Sequence, residues 1–293
     1  YPEAGIIKAE VIKYYKVIAP IMLKYIGLRP LTLIRYPEGI EGKKFYSKDK
    51  PDWAPKWIRS NEMEDGNDYI IASRNADLVW LANLAALEIH PMQVKGPEYK
   101  FPDHFIFDLD PSPSFKFGDL KQIAVDLRKF LEQYGYTPYI KTSGSKGLHI
   151  YVPIKPLYSH EDFYESIKKM AQEFVALFPE TCTLRMRKEH RLGKVLVDIY
   201  RNHAHNTCAA PYSLRAKPQA SISMPFSWDE LEELMSSQAY KLVDVDEKWK
   251  DAWDGFYDHA SELHDRKKKV VSEGDLKNYT LKRDFSKTEE PEA

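Results

Sequence analysis

The sequence predicts an α+β fold, with mixed strands flanked by amphipathic helices. Three observations carry this. Apolar residues recur at helical spacing at Val11, Tyr15, Ile18, Met22 and Ile26, and again at Leu120, Ile123, Leu127, Phe130 and Leu131. Short apolar runs such as Phe105-Ile106-Phe107 and Val195-Leu196-Val197 read as buried strands. The chain has 293 residues, 43% hydrophobic and 13% aromatic, enough for one large core or two intimately joined ones.

Composition also excludes. The net charge of -1 gives no global basic field, so any nucleic acid must be met by local patches. Two cysteines, Cys182 and Cys208, suit a reduced cytoplasmic protein better than a disulfide scaffold. No run of about 18 apolar residues and no charged-then-apolar leader is present, so no membrane partner is expected. A chain beginning at Tyr1 rather than methionine leads us to expect missing residues upstream.

Taken in order, Lys8 to Ile26 is a helix, and Pro20 inside it predicts a kink or a break. Lys8, Lys13 and Lys16 lie off its apolar face, ordinarily a solvated surface. Leu31 to Pro37 is a strand running into a turn. Phe45 and Tyr46 sit in a lysine cluster with Lys43, Lys44 and Lys48. Paired aromatics are usually core, but strand geometry sends these two to opposite sides. An exposed ring among cations is a platform for base stacking, worth about 1–3 kcal/mol per base. Ala76 to Leu87 reads as an apolar helix leading to Glu88-Ile89-His90-Pro91. A histidine after such a segment is ordinarily a satisfied core residue.

Phe105-Ile106-Phe107-Asp108-Leu109-Asp110-Pro111 then brings two carboxylates to one face of a strand, about 6–7 Å apart at ~3.3 Å per residue. Such a pair can grip one divalent cation or bracket two, and equally decorates a surface turn. Pro111 and Pro113 end the strand. Gly118 to Tyr134 is an amphipathic helix and Tyr136 to Lys141 a strand. Between that strand and the next, Leu148 to Val152, lies Thr142-Ser143-Gly144-Ser145-Lys146-Gly147. Its amides can approach an anion closely, and Lys146 and the hydroxyls add charge and donors. It lacks the spacing of a Walker loop, and a strand follows instead of a helix. A plain hairpin turn accounts for the glycines, but not for Lys146 together with His149.

His160 to Phe178 is a further helix. Leu184 to Lys194 is dense in cations, ordinarily a solvated run, and precedes Val195-Leu196-Val197-Asp198-Ile199-Tyr200. A lone aspartate in an apolar strand costs stability unless paired or liganded, which makes Asp198 the natural third ligand beside Asp108 and Asp110. A zinc reading of His203, His205 and Cys208 lacks a completing pair. Trp228 to Ser237 looks like a helix capped by Ser227, and Trp249 and Trp253 are spaced as helix-packing residues. Residues 1–263 are expected to form one catalytic domain, and 264–293 a charged, partly disordered segment.

In this order the pieces resemble the polymerase domain of bacterial ligase D and its stand-alone archaeal and bacterial relatives, in the archaeo-eukaryotic primase superfamily. The resemblance covers nearly the whole chain. It rests on Phe107 to Pro111, on Ser143 to His149, on Val197 to Asn202 with Ala210 to Arg215, and on Leu87 to His90. It implies a primase-polymerase fold: two packed mixed or antiparallel sheet modules, flanked by helices, with the active site in the cleft between them. It implies that Asp108, Asp110 and Asp198 are the catalytic carboxylates, holding two Mn2+ or Mg2+ ions. Ser143, Lys146 and His149, with Arg215 and His90, match the nucleotide-binding positions. Phe45 and Tyr46 fall where template DNA is stacked, and Lys8 where the 5′-phosphate of a break is bound. A second such lysine would lie before Tyr1. Arg191 and Arg201, in or beside the third motif, are expected to meet DNA. The resemblance further implies nucleoside triphosphates as substrates, a preference for ribonucleotides, double-strand-break ends as partners, and a Ku-type protein and a DNA ligase as associates in non-homologous end joining.

Two other readings compete. A metal-dependent nuclease also uses three carboxylates, but has less need of the Ser143–Gly147 loop. A DNA-end-bridging module with a decayed site is opposed by intact Asp108, Asp110, Asp198 and Lys146.

Overall fold

The computed structural model describes residues 1–191, 193–245 and 250–263. The first half builds an antiparallel sheet from β1 (Pro30–Arg35), β2 (Phe45–Ser47), β3 (Arg59–Glu62), β4 (Asp68–Ile71) and β5 (Ala86–Pro91), with helices α1 (Lys8–Ile26) and α2 (Asn75–Asn83). β5 pairs with β1 over its length, and β2 and β4 share the other side of β1 end to end. The second half adds β6 (His104–Pro111), α3 (Phe117–Gln133), β7 (Tyr139–Thr142), β8 (Leu148–Pro153), α4 (His160–Leu177), β9 (Cys182–Thr183), β10 (Val195–Asp198) and β11 (Pro225–Phe226). Its sheet runs β11-β7-β8-β6-β10-β9, antiparallel except for the β9–β10 pair. The α+β class with mixed and antiparallel sheets is therefore what the chain adopts.

Period-two alternation sorts the second sheet's side chains. Phe105, Phe107 and Leu109 of β6, Ile150 and Val152 of β8, and Val195 and Val197 of β10 bury one face against α3 and α4. Each such side chain contributes ~1.5–3 kcal/mol on burial. Ile106 and Tyr151, on the other face, join the core of the first sheet and α1 and α2. Farther along that second face the apolar residues give way to Asp108, Asp110 and His149, and the packing opens into a cleft.

Several local expectations are corrected. α1 runs unbroken through Pro20, which is exposed, so the Lys16 carbonyl it leaves unpaired faces water. α2 stops at Asn83: Ala85 takes a left-handed φ of 57°, and Ala86 and Leu87 begin β5 instead of ending a helix. β7 starts only at Tyr139, after Pro138, which lacks an N–H for the ladder. The helix expected from Trp228 to Ser237 shrinks to one 3-10 turn, Trp228–Leu231, although its capping logic holds: the Ser227 amide donates to Glu230 Oε2 at 2.7 Å. Trp253 lies in a turn rather than a helix, while Trp249 and residues 264–293 lie outside the described residues.

Residues 1–263 form one compact unit. Its closing stretch is tied in by Trp253, whose indole N–H donates to the Ile140 carbonyl at 3.0 Å. Among the described residues, no helix is long and apolar enough to cross a membrane.

Candidate active site

Strand register places the acids. Asp108 on β6 stands opposite Asp198 on β10 on one side and His149 on β8 on the other, and His149 stands opposite Lys141 on β7. Side chains directly opposite in adjacent strands share a face. Lys141, His149, Asp108 and Asp198 therefore form one row across four strands, with Asp110 two positions on. Sequence distance hides this row, because Asp198 reaches it only through the order in which strands pair.

The row is electrostatically tense. Burial pushes the Asp108 carboxyl up to about 6; Arg201 pulls against it, and the nearby charges of Asp198 and Asp110 add to the rise. Arg201 Nε lies 3.6 Å from Asp108 Oδ2 and 3.8 Å from Asp198 Oδ2. Arg191 Nη1 donates to Asp110 Oδ2 at 2.6 Å. Both arginines, expected at DNA, are thus placed on the acids. The Tyr200 amide donates to Asp198 Oδ1 at 2.7 Å and fixes that carboxylate at the strand end.

Three hard carboxylate oxygen donors fit a divalent cation such as magnesium or manganese, and the cost of burying Asp108 charged is a demand for positive charge there. Among the described residues, no three His, Cys, Asp or Glu side chains are already drawn around one point. In this structure Arg191 and Arg201 meet the charge instead.

His149, expected at the triphosphate, lies within the acid row. Burial first, and then the charges of Lys141 and Arg215, hold its ring well below its ordinary pKa. It stands 3.4 Å from Asp108 Oδ1 through Nε2 and 3.4 Å from the Cys208 sulfur through Nδ1. Cys208 is thereby accounted for without zinc.

The Ser143–Gly147 loop is held by its own chain. Ser143 Oγ accepts the amides of Ser145 at 3.1 Å and Gly147 at 3.0 Å. The Ser145 carbonyl accepts from Ser237 Oγ at 2.8 Å and Gln238 Nε2 at 2.9 Å. Gly144 has φ +65°, and a Cβ on Gly147 would stand 2.0 Å from the Leu109 carbonyl oxygen. The loop therefore lies flat on the acid-bearing strand, with exposed Lys146 at its tip. Gly147→Ala is expected to force the loop off β6. It should cost about 2 kcal/mol or more of stability, read by thermal melting, and most of the activity.

Across the cleft, Arg215 binds both modules. Its Nε donates to Glu88 Oε2 at 3.0 Å, and its Nη1 donates to the Ser143 carbonyl. Burial raises the Glu88 carboxyl, but the His90 hydrogen bond and the Arg215 guanidinium outweigh it and hold it down at about 2. His90 Nε2 lies 3.0 Å from Glu88 Oε2. Burial holds His90 below its ordinary range, and Glu88 works against that. His90 is thus partnered, as a core histidine would be, yet it lies on the cleft side of β5.

Phe45 and Tyr46 take opposite sides of β2, as alternation requires, and both are exposed, at 50% and 65%. Tyr46 stands opposite Ile34, which also stands opposite Glu88, so Tyr46 shares the cleft face. Lys8 opens α1. It lines a separate cavity of about 190 Å³ with Tyr36 and Ala85.

Three contributors escaped the sequence reading. Glu88 sits two residues before His90, a spacing that puts both on one strand face. Lys141 is fully buried, its amine pushed down to about 7 by burial, and it bonds Ser223 Oγ. Asn202 exchanges side-chain hydrogen bonds with both backbone groups of Ile106, at 2.8 and 2.7 Å, and so continues the β6 ladder where β10 ends.

The fold is that of a solved polymerase domain. The chain superimposes with a TM-score of 0.78 on the polymerase domain from Mycobacterium tuberculosis ligase D in complex with DNA, at 32% identity over 83% of this chain and 88% of that one. Residues 7–256 match the family described as LigD, primase-polymerase domain, and the chain belongs to that family. Among curated relatives it is 34% identical over 241 residues to the multifunctional non-homologous end joining protein LigD of Mycolicibacterium smegmatis, covering 79% of this chain and 31% of the relative. It is 29% identical over 255 residues to the bifunctional non-homologous end joining protein LigD of Bacillus subtilis, covering 86% and 41% respectively. The chain thus spans about a third of the mycolicibacterial relative's length.

Proposed function

We propose that this chain is a template-dependent nucleotidyltransferase that fills gaps or extends ends at DNA double-strand breaks in non-homologous end joining. The observation that carries the reading is the row of Asp108 and Asp198 on paired strands, with Asp110 beside them and the Ser143–Gly147 loop packed on the same strand. Family membership and a DNA-bound structural neighbour support it.

Asp108, Asp110 and Asp198 would hold two divalent cations, manganese or magnesium. Bound there, these supply the charge that aligns a primer 3′-hydroxyl with the α-phosphate and stabilises the leaving oxygens. The protein's own part is positioning. Lys146 at the loop tip and the loop hydroxyls receive the triphosphate, Arg215 fixes the loop against the first module, and His149 orients Asp108. Arg191 and Arg201 neutralise the acids, and would be free to meet DNA phosphates where cations are held there. Tyr46 stacks the templating base, and Lys8 binds the 5′-phosphate of the break. Ribonucleotides are the preferred substrates, and a Ku-type protein and a DNA ligase the associates.

The test is extension of a labelled primer on a gapped, 5′-phosphorylated duplex, with ribo- or deoxyribonucleotides and with manganese, magnesium or chelator. Templated addition that requires metal supports the reading. Metal-dependent cleavage without addition would turn it into the nuclease.

A further inference from the structure

The connection between β2 and β3 holds two tryptophans that the reading above does not use. Ala54 packs against the core and Ile58 is buried in it, which pins this connection at two points four residues apart. The alternate positions turn outward: Trp53 is 63% and Trp57 42% exposed. Neither ring is loose. Trp53 packs on Trp80 of α2 with centroids 6.2 Å apart, and the Arg74 guanidinium lies 5.2 Å from the centre of the Trp57 ring. Arg74 Nη2 also donates to the Trp57 carbonyl at 2.6 Å.

Phe45 belongs to the same side of the sheet. It stands opposite Arg35, whose Nε donates to the carbonyl of Leu84 at the end of α2 at 3.0 Å. Phe45, Trp53 and Trp57 thus present rings on the α2 side, while Tyr46 on the neighbouring position faces the cleft. Residues 41–59 carry six cations, Lys43, Lys44, Lys48, Lys50, Lys56 and Arg59, against three acids, in a chain whose net charge is -1. One of those acids, Asp49, is engaged by the Asp68 amide at 2.8 Å.

Large exposed rings held by one contact, on a segment with a surplus of cations, mark an interaction surface rather than a core. The segment's surplus of cations favours a polyanion over an apolar protein helix, and flat rings favour bases over a duplex backbone, since every base offers a π-face. We propose that Trp53 and Trp57 form a second stacking surface, continuing from Phe45, that takes the unpaired strand of a DNA end once it has passed over Tyr46 and around β2. The proposal rests on the DNA-end reading above and adds to it a grip on overhang length.

The test compares binding of the full chain to 5′-phosphorylated duplexes whose single-stranded overhang is either two or ten nucleotides long, without nucleotide. Trp53→Ala combined with Trp57→Ala is expected to weaken binding to the long overhang about tenfold, with binding and nucleotide addition on the short one unchanged. Phe at both positions is expected to restore most of the loss. Equal affinities of wild type and double variant for the long overhang overturn the proposal. Should the alanine variant fail to fold, photo-crosslinking of the wild-type chain to overhangs carrying 5-iododeoxyuridine decides: adducts at Trp53 or Trp57 support it, and adducts confined to the cleft refute it. Failure of the polymerase reading would look different, as absence of nucleotide addition on any DNA with the length dependence intact.

Discussion

Asp108→Asn is expected to abolish nucleotide addition while making the folded chain more stable. Asp108 is the centre of the acid row, flanked by Asp198 and His149 in register. Losing its charge removes one of the three carboxylates that would hold the cations, and addition should fall by about three orders of magnitude or more. The stability change has the opposite sign. Burial and the neighbouring acids raise the folded-state carboxyl from 3.8 to about 6. A raised carboxyl pKa means that the unfolded chain gives up its proton more readily, so this group destabilises the fold as pH climbs through that interval and continues to do so at pH 7. The neutral amide escapes that cost, on the order of 1–3 kcal/mol. Denaturant melts of wild type and variant should therefore converge below about pH 4 and separate, with the variant ahead, toward neutrality. Binding to a recessed DNA end in the absence of nucleotide should survive. Loss of binding with addition preserved would refute the assignment of Asp108 as a ligand.

The second large effect lies far from the acids. Arg29→Met is expected to destabilise the fold by about 3–5 kcal/mol, because it strands a buried carboxylate. Arg29 is fully buried, donates to Asp103 Oδ2 at 2.5 Å, to the Tyr257 hydroxyl at 2.7 Å, and to the carbonyls of Tyr25 at 2.7 Å and Gln93 at 2.9 Å. It joins the end of α1, the entry to β6 and the last described turn. Burial raises the Asp103 carboxyl, but Arg29 and His104 outweigh it and hold it well below the usual range. A depressed carboxylate contributes stability that is present above its unfolded value, about 4, and is lost as pH falls below it. The gap between wild type and Arg29→Met should accordingly be widest near pH 7, about 10 °C in melting temperature, and should narrow in acid. A gap independent of pH would show that the lost packing, not the ion pair, carries the effect.

The two effects separate what the chain spends on function from what it spends on folding. The acid row is a place where the fold tolerates a charge it would be more stable without. The Arg29 pair is buried charge that the fold satisfies completely, and it closes the C-terminal turn onto the core.

Which parts of this were legible in the sequence follows from the range of the interactions involved. α1, α3, α4, β6 and β8 were readable because their apolar period is set by residues within a few positions of each other. The same local logic gave the Ser143–Gly147 loop and the shared face of Asp108 and Asp110. It failed at Ala86 and Leu87, where an apolar run suits a helix and a buried strand equally, and only pairing with β1 decides. It failed again after Trp228, where a good cap begins a helix that the downstream residues do not extend. The row Lys141–His149–Asp108–Asp198 is a product of strand order, which periodicity does not encode. Asp198 was legible as a ligand only because a lone carboxylate in an apolar strand needs a partner, and the resemblance then agreed. Nothing local announced that Lys141 would lie beside His149, or that Arg191 and Arg201, expected at DNA, would lie on the acids.

The most direct test is anomalous scattering from crystals of the chain grown with manganese and a non-hydrolysable nucleoside triphosphate. The account predicts manganese peaks among Asp108, Asp110 and Asp198, with Arg191 and Arg201 displaced and the terminal phosphates at Lys146. Manganese bound elsewhere, with Arg191 still on Asp110 and the nucleotide away from the Ser143–Gly147 loop, would contradict it.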